Sequence, residues 1–139
     1  MRKVISITTL ICITALTLFS CSNVPEIKND VYKTTINNAS IYYRIITADP
    51  DKPYIFFLHG GPGGSTRSDE QLIPFITDNK FNWVFMDQRG SGRSSIYHKD
   101  PEKSDLLANQ VTTKLMLNDI EFIRKKHELG KIVIYGHSW

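Results

Sequence analysis

Cysteine is almost missing from the 139-residue chain: Cys12 and Cys21 are the only two, both near the N-terminus. The long stretch that follows has no thiol to pair, so no disulfide framework is available to it. Strong charge is missing too. Seventeen Lys+Arg stand against 14 Asp+Glu, and no basic run exceeds Arg124 to Lys126. That balance is no nucleic-acid footprint, and cations near the end of a helix complement its dipole. Repeats and low-complexity tracts are absent, and the length bounds the chain at one domain. Phosphate-cradling motifs fail as well. "GGPGGST" lacks the G-x-x-x-x-G-K-[ST] spacing, and Thr66 breaks G-x-G-x-x-G; in "GSG" at Gly90–Gly92, Ser95 stands where the third glycine belongs. No cofactor and no metal are expected.

What is there begins with "MRKVISITTLICITALTLFSC". A basic start, an apolar stretch from Val4 to Phe19 and a small-residue end predict a signal peptide over residues 1–20. An uncleaved anchor is the alternative, although the apolar stretch falls short of the roughly 20 residues a spanning helix needs. "LFSC" resembles the lipobox of bacterial lipoproteins. That resemblance implies that Cys21 is lipidated and that the exported protein is held on a membrane by its lipid; an ordinary signal with an incidental cysteine is the other reading. Removal of residues 1–20 takes away Arg2 and Lys3, leaving a mature net charge near zero. Residues 21–30, polar and proline-bearing, read as a tether.

From position 31 the pattern is that of an α/β domain. Val31–Ile36 and Ile41–Thr47, rich in β-branched and aromatic residues, predict an antiparallel pair around Asn37 and Asn38. "YIFFLH" (Tyr54 to His59) and "FNWVFMD" (Phe81 to Asp87) read as strands buried on both faces. A helix is expected around Asp69–Thr77, interrupted by Pro74. A stronger one is expected over Thr112–Leu129, where Met116, Ile120 and Ile123 recur at helical spacing, a threonine caps the start and Gly130 stops the end. "KIVIY" is the last strand. Strands alternating with helices predict a mostly parallel sheet.

Three clusters follow three strands at their C-terminal ends, where open α/β sheets place their sites. The first, "HGGPGG" (His59 to Gly64), suits a loop whose amides approach a developing anion: the glycines allow close contact and Pro62 fixes the bend. The second is "DQRGSGRS". Here Asp87 is expected to be structural, tying the turn with Arg89 or Arg93, and Gly90 and Gly92 belong to the same loop. The third, "GHSW" after "KIVIY", nearly completes G-x-S-x-G, the strained turn that exposes a serine nucleophile.

Together "HGGPG", "DQRGSGRS", the helix "TTKLMLNDIEFIRKK" and "GHSW" resemble the proline iminopeptidases of the α/β-hydrolase fold, in the same order, from about Val31 onward. His137 stands where that family usually has glycine. The resemblance implies that Ser138 is the nucleophile and that Gly61 (Gly60 possible) and Trp139 supply the oxyanion amides. It also implies a peptide or amide substrate, an N-terminal proline or similar residue being released; an esterase- or lipase-like hydrolase is the second reading, and a non-catalytic truncated lipoprotein the third. Aspartate replaces this serine in epoxide hydrolases and dehalogenases, which disfavours them. His137 is expected to be an elbow residue rather than the base, His59 to order its loop, and His98 and His127 to lie on the surface or a helix face. Asp and His partners follow the serine in this fold. Residues 31–139 are thus expected to be the N-terminal part of the domain, truncated after the strand leading into the elbow and inactive alone.

Overall fold

The computed structural model describes residues 26–61, 63–76, 81–94 and 110–138. The calls on residues 1–20, Cys21, Pro62, His98 and Trp139 lie outside those residues. Five strands form one sheet: β1 (Lys28–Ile36), β2 (Ala39–Thr47), β3 (Tyr54–Leu58), β4 (Asn82–Met86) and β5 (Ile132–Gly136). Their order is β1-β2-β4-β3-β5. β2 pairs antiparallel with both β1 and β4, whereas β3 pairs parallel with both β4 and β5. Only β2 therefore runs against the rest, as a mostly parallel sheet requires.

Asn37 and Asn38 make the two-residue turn of the first hairpin, with φ of 47° and 63°. Both central residues of the favoured hairpin turn need φ > 0, and asparagine tolerates it. β1 starts at Lys28, pairing with Thr47, so the expected tether is shorter than predicted. Partners on β2 recruit Lys28 to Asp30 into the ladder despite their polarity, since an edge strand needs only backbone groups to pair.

The strong helix is α2 (Thr113–Lys126), following the short α1 (Ile73–Ile76). Thr112 caps α2 by accepting the Leu115 N–H at 3.3 Å. Its C-terminus closes before Gly130. Glu128 adopts φ 53°, its N–H reaches Lys125 O at 3.2 Å and the Leu129 N–H reaches Arg124 O at 3.0 Å. That pair of bonds is a Schellman closure with glutamate in the left-handed position, and Leu129 is buried behind it. The helix expected at Asp69–Thr77 is a 3-10 turn, Asp69–Leu72, running into α1. Pro74 sits in the first turn of α1, where its missing N–H costs nothing.

α2 covers one face of the sheet. Ile120 and Ile123 pack with Ile41, Tyr43, Phe56, Val84 and Met86 into the core. The opposite face presents Ile55, Phe57, Trp83 and Phe85, flanked by Val133 and Tyr135, around an open groove of about 300 Å³. Among the described residues no helix is long and apolar enough to cross a membrane.

Candidate active site

β5 lies directly beside β3, and the ladder continues past its end: the His137 N–H donates to Leu58 O at 3.4 Å. The chain then turns. Ser138 has φ 64° and is exposed. A left-handed conformation costs an L-residue on the order of 1–2 kcal/mol, so this backbone is strained as an elbow requires.

The glycine loop after β3 packs against that turn. A Cβ on Gly60 would stand 2.6 Å from His137 O and 2.9 Å from Ser138 Cβ, so only glycine fits. Gly61 has φ 69° and open space where a side chain would project. Among the described residues its N–H has no hydrogen-bond acceptor. A strained hydroxyl and an uncommitted backbone donor thus stand at the ends of two adjacent parallel strands, whose backbones run roughly 4.8 Å apart. Such a pair can offer an attacking oxygen and a hydrogen bond to a developing oxyanion.

His59 is buried and bonded to the loop that follows β4. Its Nε2 accepts the Gln88 N–H at 3.1 Å, and its carbonyl accepts Gln88 Nε2 at 2.7 Å. The Ser91 hydroxyl lies 3.0 Å from Nε2 and 2.7 Å from Gln88 O. Gly63 has φ 79°, and Gly64 packs against Gly60 O and the His59 ring.

Asp87, at the end of β4, is structural, and its cation is Arg93 rather than Arg89. Its Oδ2 accepts from Arg93 N and Nε, both at 2.8 Å, while Oδ1 accepts from Thr66 N and Oγ1, both at 2.7 Å. Burial pushes this carboxyl up, but the bonds from Arg93 and Thr66 outweigh it and hold it well below the usual carboxylate range. Gly92 has no room for a side chain because a Cβ would meet Asp87 Oδ2 at 2.5 Å. Arg93 also binds Glu70 at 2.6 Å and stacks 3.6 Å over the Tyr42 ring. One cation therefore joins the glycine-loop exit, β2 and the β4 loop.

Arg89 turns the other way. Its Nε and Nη2 bind the two Asp119 oxygens at 2.7 and 2.6 Å, and Nη1 binds Gln110 O at 3.0 Å. Both side chains are fully buried, so this fork fastens α2 to the β4 loop. Sequence reasoning missed Asp119; its place on the apolar side of α2, one residue before Ile120, was the available signal. Gly90 at φ 75° completes that loop. A cavity of about 140 Å³ separates the two loops, with His59, Gly61 and Gly63 on one side and Gln88 to Ser91, Val111 and Met116 on the other. His127 is half-buried at the C-cap of α2, remote from the site: its Nε2 lies 2.9 Å from the Tyr43 hydroxyl and its ring packs on Tyr32. Among the described residues no group of His, Cys, Asp and Glu could hold a metal.

Comparison with known proteins agrees with this arrangement. The family described as "alpha/beta hydrolase fold" matches residues 53–139. The proline iminopeptidase of Neisseria gonorrhoeae is 32% identical over 116 residues, covering 82% of this chain and 34% of that protein. That of Lactobacillus helveticus is 33% identical over 98 residues, 70% of this chain and 31% of the relative. Among solved structures, a proline iminopeptidase-related protein of Thermus thermophilus superposes with a TM-score of 0.62 at 25% identity, covering 79% of this chain and 36% of the other. The chain spans about a third of the length of the curated relatives it matches. With that match over residues 53–139 and its mostly parallel sheet, the chain belongs to the α/β-hydrolase fold family.

Proposed function

We propose that this chain supplies the nucleophile and the oxyanion-binding half of a serine aminopeptidase that releases an N-terminal proline or a similar residue from peptides. The observation that carries the reading is the strained, exposed Ser138 with Gly60 packed against it. Ser138 Oγ attacks the carbonyl carbon, and the oxyanion that forms is held by the Gly61 N–H and by that of Trp139, the residue after the nucleophile. The acid and base follow the nucleophile in this fold, so the groups that take the Ser138 proton are assigned to sequence C-terminal of it. The substrate assignment draws on the proline iminopeptidases that the chain resembles. The test is hydrolysis of an N-terminal proline anilide by the whole gene product, with a simple ester as control. Turnover of the anilide that disappears in Ser138→Ala supports the reading. Ester turnover alone would move the protein to the esterases, and a fully active Ser138→Ala protein would remove the serine mechanism.

The N-terminal sequence supports a location: export, followed by lipidation at Cys21 and attachment to a bacterial membrane on its periplasmic or cell-surface side. Acylation contributes roughly 0.8 kcal/mol per buried CH₂. Radiolabelled fatty acid incorporated by the wild type and not by Cys21→Ser is the expected result; equal labelling sinks the assignment.

A further inference from the structure

His59 follows the last residue of β3 and is 4% exposed. Two groups face its Nε2: the Gln88 backbone N–H, whose direction is fixed, and the Ser91 hydroxyl at 3.0 Å, whose single proton can turn to Nε2 or to Gln88 O. The Gln88 backbone N–H can only donate, and it points at Nε2 from 3.1 Å. The fixed backbone donor selects the ring with a bare Nε2 and its proton on Nδ1, and the rotatable Ser91 hydroxyl adapts to it. Nδ1 lies 3.2 Å from the carbonyl oxygen of Gly60 and donates to it.

That bond acts on the neighbouring amide through the peptide plane. The Gly60 C=O and the Gly61 N–H belong to one planar trans unit, so they point in opposite directions. Pinning Gly60 O against the His59 ring, with Gly64 closing behind it, turns the Gly61 N–H away from the ring. Gly61 accepts the required φ of 69° because it lacks a Cβ. Were the plane to rotate by half a turn, a carbonyl dipole would face the developing anion and the Gly61 N–H would confront the Nδ1–H.

We propose that His59 is a positioning residue for the oxyanion: through Gly60 O it holds the Gly61 N–H aimed at the reacting carbonyl, and Gln88 fixes the tautomer that lets it do so. The proposal rests on the serine-hydrolase reading. It gives His59 no part in proton transfer, since both ring nitrogens are committed to the loops.

The test uses the whole gene product and an N-terminal proline anilide. His59→Ala should lower kcat by about 10²–10³-fold, the loss that follows removal of an oxyanion donor, while KM stays near the wild-type value. His59→Asn, whose side-chain amide places a donor near the position of Nδ1, should recover most of that loss. In wild-type protein labelled with 15N-histidine, His59 should show a protonated Nδ1 and a bare Nε2. An effect confined to KM, an Asn variant as impaired as the Ala variant, or a proton on Nε2 would overturn the proposal. Should His59→Ala fail to fold, the Asn variant and the tautomer decide between the same outcomes. Persistent turnover in Ser138→Ala defeats the serine reading instead, so the two failures are distinguishable.

Discussion

Replacing Asp119 by alanine removes the carboxylate that faces Arg89 and leaves the rest of α2 able to form. The Arg89 guanidinium would keep one bond, to Gln110 O, and lose the two at 2.7 and 2.6 Å. Both side chains are shut off from water, so no solvent takes the place of the lost partner. Breaking a buried pair from one side costs about 3–5 kcal/mol, a large part of the 5–15 kcal/mol that typically holds a domain together. With a urea slope of ~2 kcal/mol/M, the unfolding midpoint should fall by about 1.5–2.5 M. Removing the other partner behaves differently. In Arg89→Met the buried Asp119 carboxyl loses its cation, and burial pushes that carboxyl up. The folded state then binds the proton more tightly than the unfolded state, so stability declines as pH rises above the ordinary carboxylate value near 3.9. The alanine variant lacks that group and should show no slope from it. The double variant Arg89→Met/Asp119→Leu should regain most of the lost stability, because two apolar groups fill the site without a charge to desolvate. Urea titrations of the three variants and the wild type at pH 5 and pH 8 separate these cases. An Asp119→Ala protein within ~1 kcal/mol of wild type would refute the reasoning, since Arg89 would then have reached water or another acceptor.

Gly60→Ala should damage turnover far more than Gly61→Ala. Its methyl meets the His137 backbone, whereas the Gly61 methyl enters open space and costs only the roughly 1–2 kcal/mol of a left-handed backbone; equal losses of kcat in the two would contradict the packing. Asp87→Asn should cost up to ~3 kcal/mol at pH 7, because the ionised carboxylate accepts from Arg93 and Thr66. The folded-state carboxyl is depressed, so that advantage of the wild type is complete above pH ~4 and fades as the pH falls below it; thermal melts of both proteins from pH 3 to pH 7 measure the difference. Glu128→Gly should stabilise the protein by roughly 0.5–1 kcal/mol, relieving φ 53° at the helix end, and a lower melting temperature would count against the Schellman closure.

The order of strands and helices was legible in the chain because each is written locally. "YIFFL" and "NWVFM" are apolar runs of strand length, and Ile120 and Ile123 keep helical spacing. The turn at Ser138 and the glycine loop were legible for a similar reason: a serine two residues past a glycine and a strand is a local arrangement. What stayed hidden is pairing across distance. Arg89 and Arg93 sit in one loop with the same charge, and nothing within "QRGSGRS" says that one reaches Asp87 while the other reaches Asp119 on α2. The link from His59 to Gln88 is equally silent, since it forms only once β3 and β4 lie side by side. Glu128 misled the helix boundary because glycine is the usual left-handed residue at such an end and Gly130 stood nearby.

The adjacency of β3 and β5 also bears on how this chain can change over evolutionary time. The separation of Ser138 from the glycine loop is set by the parallel ladder between those strands, which consists of main-chain groups common to every residue. Substitution along β3 or β5 can alter the side chains freely while leaving that ruler in place. Selection on the proposed reaction geometry therefore falls on few letters: Gly60, Gly64 and Gly92, which admit no side chain, and the partners that aim the loops. About two residues in three separate this chain from the proline iminopeptidases it resembles, and a ladder of main-chain groups does not depend on those letters.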